Sequence, residues 1–212
     1  MKTKLSNLIF IIIILASIVV GVWAYSRLPS VIATHWNAAG QVDGYMSKFW
    51  GIFLTPIIMI FMFILYLVIP KIDPLKTNIA SFGKYYNLFW ILFEVFLLYI
   101  YVLQLGWNFG WQFNFSVMII PAFAFLWYFL GAFLPKAKRN WFFGIRNPWT
   151  LSSDVVWEKT HRLAGAFFKA AALISLIGFF FPSSSIFFVI IPVLAFAIAT
   201  FIYSYVQFKK LK

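Results

Sequence analysis

The chain has 212 residues, of which 64% are hydrophobic and 10% charged, against roughly 45–50% apolar in a soluble domain. The apolar residues come in long unbroken runs, which excludes a water-soluble core with a polar coat and leaves lipid as the solvent. Cysteine is absent, so disulfides, thiolate metal sites and thiol nucleophiles are excluded. The excess of 17 Lys+Arg over 5 Asp+Glu gives a net charge of +12. Most of it falls between apolar runs, where positive charge sets orientation and meets anionic headgroups rather than nucleic acid.

A helix needs about 20 apolar residues to cross the hydrocarbon, and runs of that size occupy residues 5–25, 50–69, 85–105, 113–134, 163–181 and 186–208. Backbone groups in lipid must bond internally, so these runs are read as helices. Short alternating strands, the mark of a membrane barrel, are not seen. Lys2 and Lys4 precede the first run, and Val22-Trp23-Ala24 weakly resembles a signal-peptidase site. The run is long for a signal h-region, and it is read as a retained span. Pro121 and Pro192 are positioned to kink the fourth and sixth spans.

Outside the spans, the N-tail, second loop, fourth loop and C-tail together carry 14 Lys and Arg, while the other loops carry only Arg27 and Lys48. The basic segments all lie on one side, so the positive-inside rule predicts a multi-pass cell-membrane protein with both termini cytoplasmic.

Two polar segments are large enough to hold a site. In the outer one, residues 26–49, a short extended stretch over 31–36 leads into turn signals at Asn37 to Gly40 and at Asp43-Gly44. It reads as an interfacial cap with Trp36 and Tyr45 at headgroup level, or as an extracellular recognition surface. In the inner one, residues 135–162, Pro148 disfavours helix at Asn147. Ser152 or Ser153 can cap a new helix that has Asp154 in its first turn and runs into the fifth span. Glu158 stands four residues before Arg162, the favoured order for an ion pair.

The run Gly-Ile-Arg-x-Pro-Trp-Thr-Leu-Ser at 144–152, followed by Trp157 and Thr160-His161-Arg162-x-x-Gly165, resembles the signature of the SdpI family of bacterial immunity membrane proteins. The outer Leu-Pro…His-Trp-Asn…Gly…Asp-Gly…Lys pattern is similar to the uncharacterised domain that often precedes it. Asn147 and Ala164 stand where the family pattern has Thr and Gly. The resemblance implies one membrane domain over 1–212, with an N-terminal two-span unit at 1–70 and an SdpI-like unit at 113–208. It implies a protein that protects its producer against a secreted membrane-active peptide toxin and passes the signal to a cytoplasmic repressor. The candidate ligand- or partner-binding residues are His35, Trp36, Asn37 and Asp43 outside, with Arg146, Trp149, Trp157, His161 and Arg162 inside. A carboxylate or carbonyl is expected against Arg146, with Asp154 and Glu158 the nearest acids.

Neither catalysis nor a cofactor is expected. Glu158 and His161 form a single Glu-x-x-His pair, and the other histidine, His35, is predicted on the opposite face. Ser152 or Ser153 with His161 and Asp154 has the residue types of a triad, yet the serines have a ready role as caps. Glu94 and Lys169 interrupt apolar spans at ~14 Å and ~9 Å from their cytoplasmic starts, counted at about 1.5 Å per residue. They are expected to face each other as an intramembrane charge pair, the alternative being that Lys169 snorkels inward and Glu94 is protonated or bonded to a neighbour. A small solute or ion-coupled transporter is the alternative function. The expected fold is an all-α polytopic bundle of about six transmembrane helices, with one ordered extracellular loop and one cytoplasmic loop-helix segment.

Overall fold

The computed structural model describes residues 3–211; Lys2 and Lys212 of the charge count lie outside them. The elements in chain order are α1 (Thr3–Tyr25), β1 (Val31–Trp36), β2 (Val42–Ser47), α2 (Lys48–Ile72), α3 (Lys76–Ser81), α4 (Gly83–Asn108), α5 (Phe115–Met118), α6 (Ile120–Phe133), α7 (Pro148–Ser152), α8 (Asp154–Ile177) and α9 (Ser185–Lys209). Among the described residues, six helical segments are long and apolar enough to cross a membrane: α1, α2, α4, α5 with α6, α8 and α9. The protein is a multi-pass, nearly all-helical membrane bundle. With six crossings, Thr3 and Leu211 end on the same face, which carries the basic loops.

Side-chain placement is what lipid demands. The outer surfaces of the helices show residues such as Val19, Leu173 and Ile198, each more than 60% exposed. Small polar residues turn inward instead: Ser17, Ser175, Thr200 and Ser204 are buried. Ser17 and Ser175 return their hydroxyls to carbonyls of their own helices, at 2.7 and 2.8 Å. Such residues let helices approach closely without leaving a donor bare in hydrocarbon.

Helices α1, α2 and α4 pack on one another, as do α6, α8 and α9, and α4 meets α6 between the two groups. Helices α6 and α8 approach closely. A Cβ on Gly165 would lie 2.8 Å from the Gly131 carbonyl oxygen and 2.6 Å from the Pro135 ring. Ala164 beside it is fully buried.

Where Pro121 was expected to kink the fourth span, the span is interrupted. Helix α5 ends at Met118 and α6 begins at Ile120 with the proline in its first turn, where the missing N–H costs least. Pro192 instead lies inside an unbroken α9. The fifth span and the helix capped before it form one element, α8, with the Ser153 side chain accepting from the Val156 N–H.

Three short elements were not legible, helix α3, strand β2 and helix α7. Strand β2 pairs antiparallel with β1, from Val31 opposite Ser47 to Trp36 opposite Val42. Helix α7 fits between Asn147 and Ser153 because Asn147 and Thr150 cap it reciprocally.

Candidate functional site

On the basic face, residues 137–153 fold back against the bundle through a few buried polar groups. Asn140, fully buried, donates to the carbonyls of Lys138 (2.8 Å) and Phe143 (3.1 Å) and accepts from the N–H groups of Phe142 (2.9 Å) and Phe143 (2.5 Å). That turn drives Phe143 into an aromatic cluster, edge-on to Tyr86 (5.1 Å), Phe89 (5.2 Å) and Trp90 (5.5 Å). The α2–α3 connection holds the turn from below. Buried Asp73 accepts from the N–H groups of Leu75 (2.6 Å) and Trp141 (2.9 Å), and Asn78 donates to the Arg139 carbonyl (2.8 Å).

Gly144 follows with φ +101°, directly against the His161 ring. A Cβ there would be strained by the backbone and would collide with His161 Nε2. The vacated space lets the Ile145 N–H donate to Nε2 (3.0 Å), while Nδ1–H donates to the Trp157 carbonyl (2.8 Å). One nitrogen donates and the other accepts, so His161 is held as a single neutral tautomer with no lone pair free for a metal or a proton relay. Trp157 stacks on it at 4.0 Å and donates its indole N–H to the Ala137 carbonyl (2.8 Å). Asn147 donates to the Ser204 hydroxyl of α9 (2.8 Å), and Trp149 lies against Phe201 and Tyr205 of the same helix at 4.9 and 5.0 Å.

The charged groups form the rim. Arg139 meets Asp154 at 2.8 Å and Lys138 meets Glu158 at 2.8 Å. The Glu158 carboxylate holds the Lys138 ammonium above its usual range. This corrects one expectation. Glu158 pairs across the fold with Lys138 rather than along its helix with Arg162. Arg146, exposed, takes the Trp141 carbonyl (2.6 Å), one of the two ligand types expected for it, while Asp154 and Glu158 go to Arg139 and Lys138. Arg162 is exposed on α8. Glu158 points to this rim while both His161 nitrogens are engaged beneath it, so the Glu-x-x-His pair does not converge on one point.

On the opposite face the β1–β2 hairpin is clamped to α4 and α5. Asn108 accepts from the Ala33 N–H and donates to the Ala33 carbonyl, both at 2.9 Å. The Ser116 hydroxyl donates to the Asn37 carbonyl (2.9 Å), and the Asn114 amide donates to the Ala39 carbonyl (3.0 Å). The Asn37 side chain closes its own turn by accepting from the N–H groups of Ala39 and Gln41. Trp36 stacks flat on Phe115 at 3.8 Å and meets Trp107 edge-on. His35 Nδ1 and Asp43 Oδ1 lie 2.5 Å apart across the hairpin, both open to solvent. Between hairpin, α4, α5 and the start of α9 is a cavity of about 430 Å³, lined by His35, Trp36, Asn37, Gln104, Phe187 and Ile190 among others. Asp43 is outside the lining and reaches it only through His35.

Glu94 and Lys169 do not meet. Glu94 is fully buried on α4 and, among the described residues, neither carboxylate oxygen has a hydrogen-bond partner. Lys169 is exposed on α8 and lies alongside Gly131 and Tyr128 of α6, its ammonium 6.0 Å from the Tyr128 ring. Both sit in the half of the bundle nearer the basic face, but the α6–α8 contact turns Lys169 toward the bundle exterior.

Residues 136–205 match the SdpI/YfhL protein family, and residues 12–60 match a domain of unknown function, DUF1648. The chain carries an SdpI-family domain. It is also similar along nearly its whole length to "Immunity protein SdpI" of Bacillus subtilis (strain 168), at 26% identity over 209 residues, 97% of each chain. No solved structure matches. The SdpI-family match spans α7, α8, most of α9 and the segment that Asn140 folds; the other match spans most of α1, the hairpin and the first half of α2. Asp73, Asn78, Asn108 and Asn114, which tie these pieces together, lie outside both matches. No sequence motif marked them.

Proposed function

We propose that the protein is a membrane immunity protein that protects its cell against a secreted, membrane-active peptide toxin, with the basic face in the cytoplasm and the hairpin outside. The immunity reading is supported by the full-length similarity to the Bacillus protein of that name. The cavity beneath the hairpin supports a docking place. It is apolar on its α9 side, has hydrogen-bonding groups on its hairpin side and opens where a peptide leaving the outer leaflet would arrive. His35, Trp36 and Asn37 are the residues proposed to contact the toxin. Asp43 fixes His35.

The test is expression in a toxin-sensitive cell. Ile190→Trp fills the cavity from α9 without touching the hairpin's hydrogen bonds, and protection should fall at least about tenfold at unchanged membrane abundance. Full protection by that variant would remove the cavity from the mechanism. The basic-face segment is proposed to contact a cytoplasmic repressor through its exposed Arg146 and Arg162, with Trp149, Trp157 and His161 as the support that holds it in place. Arg146→Ala should then abolish the transcriptional response while leaving protection intact. Unpartnered Glu94 is the observation that favours the transporter alternative. Proton or solute flux in vesicles, lost in Glu94→Gln, would establish that reading instead.

A further inference from the structure

We infer that the cleft between α2, α3 and α4 on the basic face binds the phosphate headgroup of an anionic phospholipid. The cleft measures about 540 Å³, and Lys71, Lys76 and Lys84 line it above a floor that includes Leu67, Ile79 and Tyr86. Its floor is fixed: the Tyr86 hydroxyl donates to the Tyr66 carbonyl (2.8 Å) and the Tyr66 hydroxyl to the Asn87 side chain (3.3 Å).

Among the described residues, no anion is supplied to these lysines. The chain has five acidic residues. Asp43 faces His35, Asp154 faces Arg139 and Glu158 faces Lys138. Asp73, the acid nearest in sequence, is buried and turned away, accepting the backbone N–H groups of Leu75 and Trp141. Glu94 is enclosed in the bundle. Lys71, Lys76 and Lys84 are all exposed and have no ion-pair partner among the described residues. Three uncompensated ammonium groups around one concavity are complementary to a phosphate.

The location selects a lipid over a soluble anion. Lys71 is on the last turn of a spanning helix, at headgroup depth. Ile64 and Val68, exposed on α2, precede it at helical i, i+4, i+7 spacing on the same face. A headgroup held by the lysines would therefore lay an acyl chain along Val68 and Ile64 without leaving the bilayer.

The test uses the full chain in phosphatidylcholine nanodiscs with and without phosphatidylglycerol, with lipid retained on release into detergent counted by native mass spectrometry. Phosphatidylglycerol should be retained over phosphatidylcholine. Changing Lys71, Lys76 and Lys84 together to Gln should weaken retention about 100-fold, from roughly a factor of five for each lysine near a charged surface. The triple Arg variant should retain it, as should Lys209→Gln/Lys210→Gln, which removes charge from the same face elsewhere. If the triple Gln variant melts early, the single Lys76→Gln variant should still show about a fivefold loss. Equal retention of the two lipids, or undiminished retention in every Gln variant that folds, overturns the inference. Displacement of the lipid by millimolar inorganic phosphate would also overturn it by reassigning the cleft to a soluble anion.

Discussion

Asn140→Ala is the sharpest perturbation of the basic-face segment. It deletes four hydrogen bonds made by a fully buried side chain, two to carbonyls and two from N–H groups. At roughly 1 kcal/mol net for each, and with Trp141 next to it exposed so that water can enter part of the turn, the loss comes to about 2–4 kcal/mol. The cost should appear as local undocking, because Phe143 depends on this turn to reach its aromatic cluster. The chain has no cysteine, so a single engineered thiol is a unique reporter. Ala137 is 4% exposed beneath the Trp157 indole and changes little in size when replaced by Cys. In the Ala137→Cys background, Asn140→Ala should raise the thiol labelling rate about 30- to 1000-fold, the same 2–4 kcal/mol expressed as a shift in the open population. Unchanged labelling together with an unchanged melting temperature would refute the claim that Asn140 holds the segment down.

Cysteines placed singly at Ala38 and Lys138 should react from outside and inside respectively, and reactivity of both from one side would reject the proposed orientation. Because Glu94 and Lys169 are apart, Glu94→Gln and Lys169→Met should be additive in a double-mutant cycle, with coupling under about 0.5 kcal/mol. A coupling above about 1 kcal/mol would mean that the pair forms. Glu94→Gln alone should leave stability unchanged or raise it by about 1 kcal/mol, since a carboxyl without partners is the more costly group to enclose. Gly144→Ala should cost about 2–4 kcal/mol, combining a disfavoured positive φ with displacement of the His161 ring; a loss under about 0.5 kcal/mol, measured by melting in detergent, would count against that packing.

The spans, their number and the sidedness of charge were legible because each is set locally: an apolar run of about 20 residues has no low-energy state in lipid but a helix. Strand β1 and a serine cap at 152 or 153 were legible for the same reason, since turn and cap chemistry depends on neighbours in sequence; Pro121 was legible as a kink, not as a break. The partners of the charges were not. Glu158 and Arg162 satisfy the helical spacing for a pair, yet Glu158 goes to Lys138, twenty residues away, at 2.8 Å. Glu94 and Lys169 lie at compatible depths, but depth leaves the azimuth of each helix free, and the Gly131–Gly165 approach sets the azimuth of α8 and turns Lys169 outward. His161 carried the look of a ligand because the sequence shows its chemistry and hides its occupancy. Only the fold brings Ile145 N–H and the Trp157 carbonyl to its two nitrogens, making it the peg on which the SdpI-like segment hangs.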